Sequence, residues 1–232
     1  MGPCPSEKPE HWGITLHTHK VVWERVASLI ARDPGRYFTH EADRLLRQAE
    51  RDTHINLGDE EVRSALLEKV HASLGIGIIR RCYIEALLSA DIPVTLYGDG
   101  WQHLSESAPC TCRPLPHGAD QLNALYNAAQ IVPYIYPSGW IGPDLLNPVA
   151  AGAFVLVRAH PRDRRSDGLG AILKPNEEII TFRDPPELVR QVQHFLHHPE
   201  KRQEIAQRGR QKLLEAHSYR QRLPELLARL AK

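Results

Sequence analysis

The sequence predicts an α/β fold, a parallel sheet flanked by helices and preceded by a helical extension. Three observations predict it. From residue 92 onward, short apolar runs alternate with amphipathic stretches long enough to serve as crossover helices. Glycine sits beside predicted strands in Tyr97-Gly98-Asp99-Gly100-Trp101 and in Asn147-Pro148-Val149-Ala150-Ala151-Gly152-Ala153-Phe154, where a parallel sheet builds its ligand crevice. Before residue 78, helical periodicity dominates and strand signals are few. The expected organisation is a flexible tail over 1–15, a helical extension over 16–77 and the sheet domain over 78–232.

The elements follow in order. A helix over 18–31 carries Val22, Val26, Leu29 and Ile30 on one face and stops at Asp33-Pro34-Gly35. A second helix spans 39–51, capped by Thr39, with Ala42, Leu45, Leu46 and Ala49 inward. A third over 59–73 has a stripe of Val62, Leu66, Leu67 and Val70. Gly75 and Gly77 interrupt the pattern before a fourth helix over 78–89 with Ile79, Tyr83, Ala86 and Leu87. Strands are expected at 92–97, at 131–136 despite Pro133, at 153–157, and as short pieces at 171–173 and 179–182. A loop covers 98–118, and helices cover 119–129, 143–151, 186–197, 200–215 and 220–231.

At 232 residues, with 42% hydrophobic and 25% charged residues, the chain is long enough for a real core. A formal net charge of +1 gives no global field toward nucleic acid or an anionic membrane. Basic and acidic residues are interspersed and no aromatic-basic stripe appears, so no nucleic-acid partner is expected. No run of eighteen apolar residues suggests a transmembrane helix, and the first residues lack a hydrophobic signal region, so a cytoplasmic protein is expected. Cys4, Cys82, Cys110 and Cys112 do not form a disulfide framework. A zinc site on Cys110 and Cys112 would need partners such as His103 or His117, and two incidental thiols in a loop is the preferred reading. His194, His197 and His198 lack a completing carboxylate or cysteine and read as a surface patch.

The candidate binding residues lie around the two glycine-bearing segments. Gly98 and Gly100 flank Asp99, which either orders a tight turn or accepts from a sugar hydroxyl, and Trp101 either walls a ligand or caps the core. Ser138-Gly139-Trp140-Ile141-Gly142 precede a helix starting near Pro143, whose free amides suit a phosphate. Asp144 either caps that helix or repels an anion there. Asn147 can hold a ribose hydroxyl, Asn123 shares a helical face with Asn127, and Arg158 stands just past a strand end. Arg162 to Gly168 reads as a solvated loop.

Several ordered motifs resemble one family. They are Arg80-x-x-Tyr83-Ile84-x-x-Leu87, Val94 to Trp101, Leu122-Asn123-x-Leu125-Tyr126-Asn127-x-Ala129 and Ala150 to Leu156. They continue through Glu178 to Asp184, Phe195-Leu196-x-x-Pro199-Glu200-Lys201-Arg202, Ile205-Ala206-x-x-Gly209 and His217-Ser218-Tyr219-x-x-Arg222. Residues from about 78 to 231 resemble the C-terminal, Rossmann-like, nucleotide-sugar-binding domain of GT-B glycosyltransferases, in particular the CgeB-like, spore-maturation-type group. The resemblance implies a nucleotide-sugar donor, no metal or other cofactor, and transfer of the sugar to an acceptor. It implies that Gly98, Asp99, Gly100, Trp101, Ser138, Gly139 and Asn147 line the donor site, to which the residues themselves add Asn123 as polar lining and Arg158 as phosphate compensation. Asp144 and Asn147 stand where the family often has an arginine and an acidic residue. Residues 1–77 do not supply the family's N-terminal Rossmann-like domain, so the chain is expected to be a fragment, a subunit whose cleft a protein partner or a second copy completes, or a degenerate homologue. The alternative is a catalytically inactive GT-B-like scaffold.

Overall fold

The computed structural model describes residues 8–101, 104 and 109–230. Of the expected tail, residues 1–7 lie outside that range, Pro9–Trp12 form a 3-10 turn and Ile14 is buried. The chain divides into two compact units. One comprises residues up to 115 with Ile135–Ser138 and Asp184–Val189; the other comprises Pro116–Tyr134, Gly139–Arg183 and the remainder from Arg190.

The first unit opens with helices. Helix α1 (His17–Arg32) buries Val22, Trp23, Val26 and Ile30 at helical spacing against α2 (Ala42–Thr53), which buries Ala42, Leu45, Leu46 and Ala49. Thr39 does not cap α2. It begins a 3-10 turn, Thr39–Glu41, without a side-chain cap, and its amide donates to the Pro137 carbonyl at 3.1 Å. Helix α3 (Glu60–Lys69) is capped by the Asp59 carboxylate, which accepts from the Glu61 amide at 2.8 Å. The chain then runs through a π turn, Val70–Leu74, directly into α4 (Gly75–Ser89). The glycines therefore do not break the helix. Gly75 lies against the buried Tyr37 ring, which a Cβ would overlap, so glycine here serves close packing rather than termination.

The strands are parallel but form two separate ladders instead of one four- or five-stranded sheet. Strands β1 (Val94–Tyr97) and β2 (Cys110–Arg113) pair in the first unit, with Val94 opposite Cys110 and Tyr97 opposite Arg113. Strand β2 lies inside the expected loop. Its Cys-Thr-Cys-Arg sequence carries little strand propensity, so its extended form is imposed by pairing with β1.

In the second unit, α5 (Ala119–Ala128) leads to β3 (Val132–Tyr134), and α6 (Pro143–Ala151) leads to β4 (Val155–Arg158). With β5 (Ile180–Phe182) they make a three-stranded sheet in the order β3-β4-β5. The central strand β4 is buried at every position. Pro133 is tolerated because β3 is an edge strand. The expected strand at 171–173 is absent: Leu169–Ala171 form a 3-10 turn that sends Leu173 into the core. Three apolar residues in a row were too short a signal to separate strand from tight turn. Leu145, Val149, Val155, Val157, Leu173 and Leu213 anchor the core of this unit. Helices α7 (Pro185–Leu196), α8 (Pro199–Ala216) and α9 (Tyr219–Leu230) complete the chain. Gly209 brings α8 onto the Glu178 carbonyl, which a Cβ would overlap.

Candidate functional site

Of the nine expected donor-site residues, Gly98, Asp99, Gly100, Trp101 and Ser138 belong to the first unit, and Asn123, Gly139, Asn147 and Arg158 to the second.

Gly98 and Gly100 both have positive φ (103° and 87°), which explains glycine at each. The Gly98 amide donates to the Arg113 carbonyl at 3.0 Å, so the turn is tied to β2, while Asp99 remains exposed. Trp101 is fully buried; its ring is core, and its carbonyl accepts from the Cys112 thiol at 3.4 Å. Burial and the neighbouring Cys112 push the Cys110 thiol up to about 11, so it stays protonated at neutral pH. His103 lies outside the described residues. Ser138 follows Pro137, whose carbonyl is held by Thr39, and Tyr136, whose ring lies 5.5 Å from the Arg80 guanidinium.

In the second unit the carboxyl edge of the sheet is built from α6 and the segment after β4. Gly142 is the N-cap of α6, extended at φ −131° and without a side-chain cap, and Pro143 fills the first helical position. The Leu145 and Leu146 amides both turn back to the Gly142 carbonyl at 3.0 Å. The Trp140 indole lies against Gly142 and is 60% exposed; its carbonyl accepts from the Tyr134 hydroxyl at 2.9 Å. Asp144 and Asn147 are exposed on α6. Burial, with the Asp144 charge second, raises the Tyr126 phenol above its ordinary value. Asn123 is exposed on α5, where its carbonyl accepts from Asn127 Nδ2 at 2.8 Å.

Arg158 closes β4 and is only 2% exposed. Two residues later comes His160, also buried, a residue that sequence reasoning missed because a lone histidine carries no motif. Its Nδ1 accepts from the Arg162 amide at 3.1 Å, and its own amide donates to Asp163 Oδ2 at 2.7 Å, a reciprocal capping box. Burial raises the Asp163 carboxyl above its ordinary range. Gly139, at φ 65°, packs on the His160 ring, where a Cβ would come within 2.5 Å of Nδ1. Gly139 and the residues after Arg158 are thus brought together. The loop beyond is solvated, with Arg162 paired to Asp167 at 2.5 Å.

Of the histidine patch, His194 lies on α7 and His197 and His198 follow it before α8. His197 and His198 Nδ1 bond the carbonyls four residues earlier, at 2.7 and 2.6 Å. Among the described residues no three His, Cys, Asp or Glu gather to hold an ion, and no helix is long and apolar enough to cross a membrane.

A family model described as "Glycosyl transferase-like" matches residues 80–228. The chain belongs to that glycosyl transferase-like family. No curated protein and no solved structure matches it. The match takes in β1 to α9, so both ladders and the α6–β4 segment are family features, and α1 to α3 lie before it.

Proposed function

We propose that this chain binds a nucleotide sugar as a GT-B-type donor half, with motifs resembling the CgeB-like group, and serves transfer of the sugar to an acceptor in the cytoplasm. The observation that carries the reading is the start of α6, a helix N-terminus without a side-chain cap inside the family-matched segment. Amide dipoles there suit the donor diphosphate. Asn147, exposed one turn further on, suits a ribose hydroxyl. Arg158, at the end of β4, adds positive charge.

In the transfer, an acceptor oxygen bonds the anomeric carbon as the bond from that carbon to the diphosphate breaks. The electron pair leaves with the nucleoside diphosphate, and the acceptor proton passes to a base. On this reading the α6 dipole and Arg158, rather than an ion, offset the charge growing on the diphosphate. The base and the acceptor site lie outside this donor half.

A second reading, a non-catalytic scaffold, is favoured by Asp144. This carboxylate stands in the first turn of α6, where a diphosphate would meet like charge. Calorimetric titration with UDP, GDP, dTDP and CDP separates the two. Saturable binding of one nucleotide, lost in Asn147→Ala, is expected for a donor site. No binding to any of the four favours the scaffold.

A further inference from the structure

A groove of the second unit lies at the opposite edge of its sheet. Residues 127–130 enter β3, and 151–154 enter β4, so both segments lie at the amino ends of parallel strands. With one face of α8 they line a groove of about 670 Å³, a volume ordinary for a small-molecule site.

We propose that this groove binds a small ligand carrying a phosphate-type oxyanion, at a place distinct from the carboxyl-edge segment. Arg202, Ala206 and Arg210 follow one another at four-residue spacing along α8, and Gln203 and Gln207 form the adjacent ridge. None of the twelve lining residues is acidic. Neither arginine has a carboxylate partner among the described residues. Each is instead anchored through one nitrogen to a backbone carbonyl. Arg202 Nη1 donates to Phe195 O at 2.8 Å, and Arg210 Nε donates to Ala150 O at 3.0 Å.

The anchoring does two things. It holds the guanidinium forks before a ligand arrives, which lowers the ordering cost of binding. It also occupies carbonyls in the last turns of α6 and α7, whose dipoles would otherwise oppose an anion. Arg210 Cδ lies over Gly152, where an added Cβ would make an ordinary 3.4 Å contact. The remaining guanidinium donors are suited to oxyanion geometry. Gln130, Gln203 and Gln207 make no side-chain hydrogen bond among the described residues and add further donors around the same space. Phe154, tilted against Phe195 with ring centroids 4.5 Å apart, supplies an apolar lining residue.

The test is calorimetric titration of the full chain with inorganic pyrophosphate at low ionic strength. Saturable binding that persists with the donor site filled by the nucleotide found in the titration above is expected, with affinity falling about tenfold or more in Arg202→Gln/Arg210→Gln. Because that double variant also removes two carbonyl anchors, Gln207→Glu provides a second arm. It leaves both anchors in place, sets a carboxylate in the groove, and is expected to weaken binding to a similar degree. Glucose 6-phosphate binding as tightly as pyrophosphate assigns a phosphate ester as occupant; pyrophosphate alone assigns the free anion. The proposal is overturned if pyrophosphate does not bind, if binding ignores the groove substitutions, or if a saturating donor nucleotide displaces it. The last result would leave the donor reading intact.

Discussion

The two edges of the three-stranded sheet are built from the same elements and have opposite characters. At the carboxyl edge β4 ends in buried Arg158 and His160, with Gly139 pressed on the imidazole and Asp163 closing a capping box. At the amino edge the arginines of α8 are fixed by backbone carbonyls but still border open volume. A positive φ and a close approach to the His160 ring hold Gly139 in an unusual form at one edge, while packing at the other leaves space.

The comparison breaks most visibly at its glycines. Gly139→Val combines a positive φ with a Cβ inside the His160 ring, and a loss of about 3 kcal/mol or more is expected in urea unfolding. His160→Ala removes a buried ring together with its cap and is expected to cost about 2 kcal/mol by the same measurement. At the amino edge, Gly152→Ala meets only an ordinary contact with Arg210, so its cost is backbone strain alone, about 1 kcal/mol. If Gly152→Ala proved the more damaging of the two glycine substitutions, the account of the two edges would be reversed.

A smaller effect lies in pH. Burial raises the Asp163 carboxyl, so its protonated form is favoured in the folded state. Its contribution to stability is full below the unfolded pKa and is lost as pH rises through the folded one. Asp163→Asn keeps an acceptor for the His160 amide and cannot ionise. Its stability relative to wild type is therefore expected to improve as pH rises out of the acid range, read from unfolding midpoints at a series of pH values. Arg210→Gln, at the edge without an acid in its lining, is expected to show no such trend.

These edges were unequally legible in the sequence. Helix α6 was read with its observed bounds because its signals are local: Pro143 at the first turn, and Gly152 at φ 94° after the last. The inward face of α2 was legible for the same reason. Strand β2 was not, because four weakly strand-forming residues become a strand only beside β1. The joined helix over α3 and α4 was hidden because Gly75 answers to Tyr37, a residue far away in sequence. His160 offered only a solitary imidazole. The amino-edge groove was not legible as a groove, although Asn127, Gly152, Phe154, Arg202 and Ala206 fall within the motifs, since residues from α5, the α6–β4 turn and α8 meet there only after packing.

The most direct test of the carboxyl-edge assignment is hydrogen exchange with and without a saturating nucleotide chosen by the titration. Slowed exchange over Gly139–Leu146, with residues 127–130 and 202–210 unchanged, is the predicted result. Protection confined to 127–130 and 202–210, or none anywhere, would contradict it.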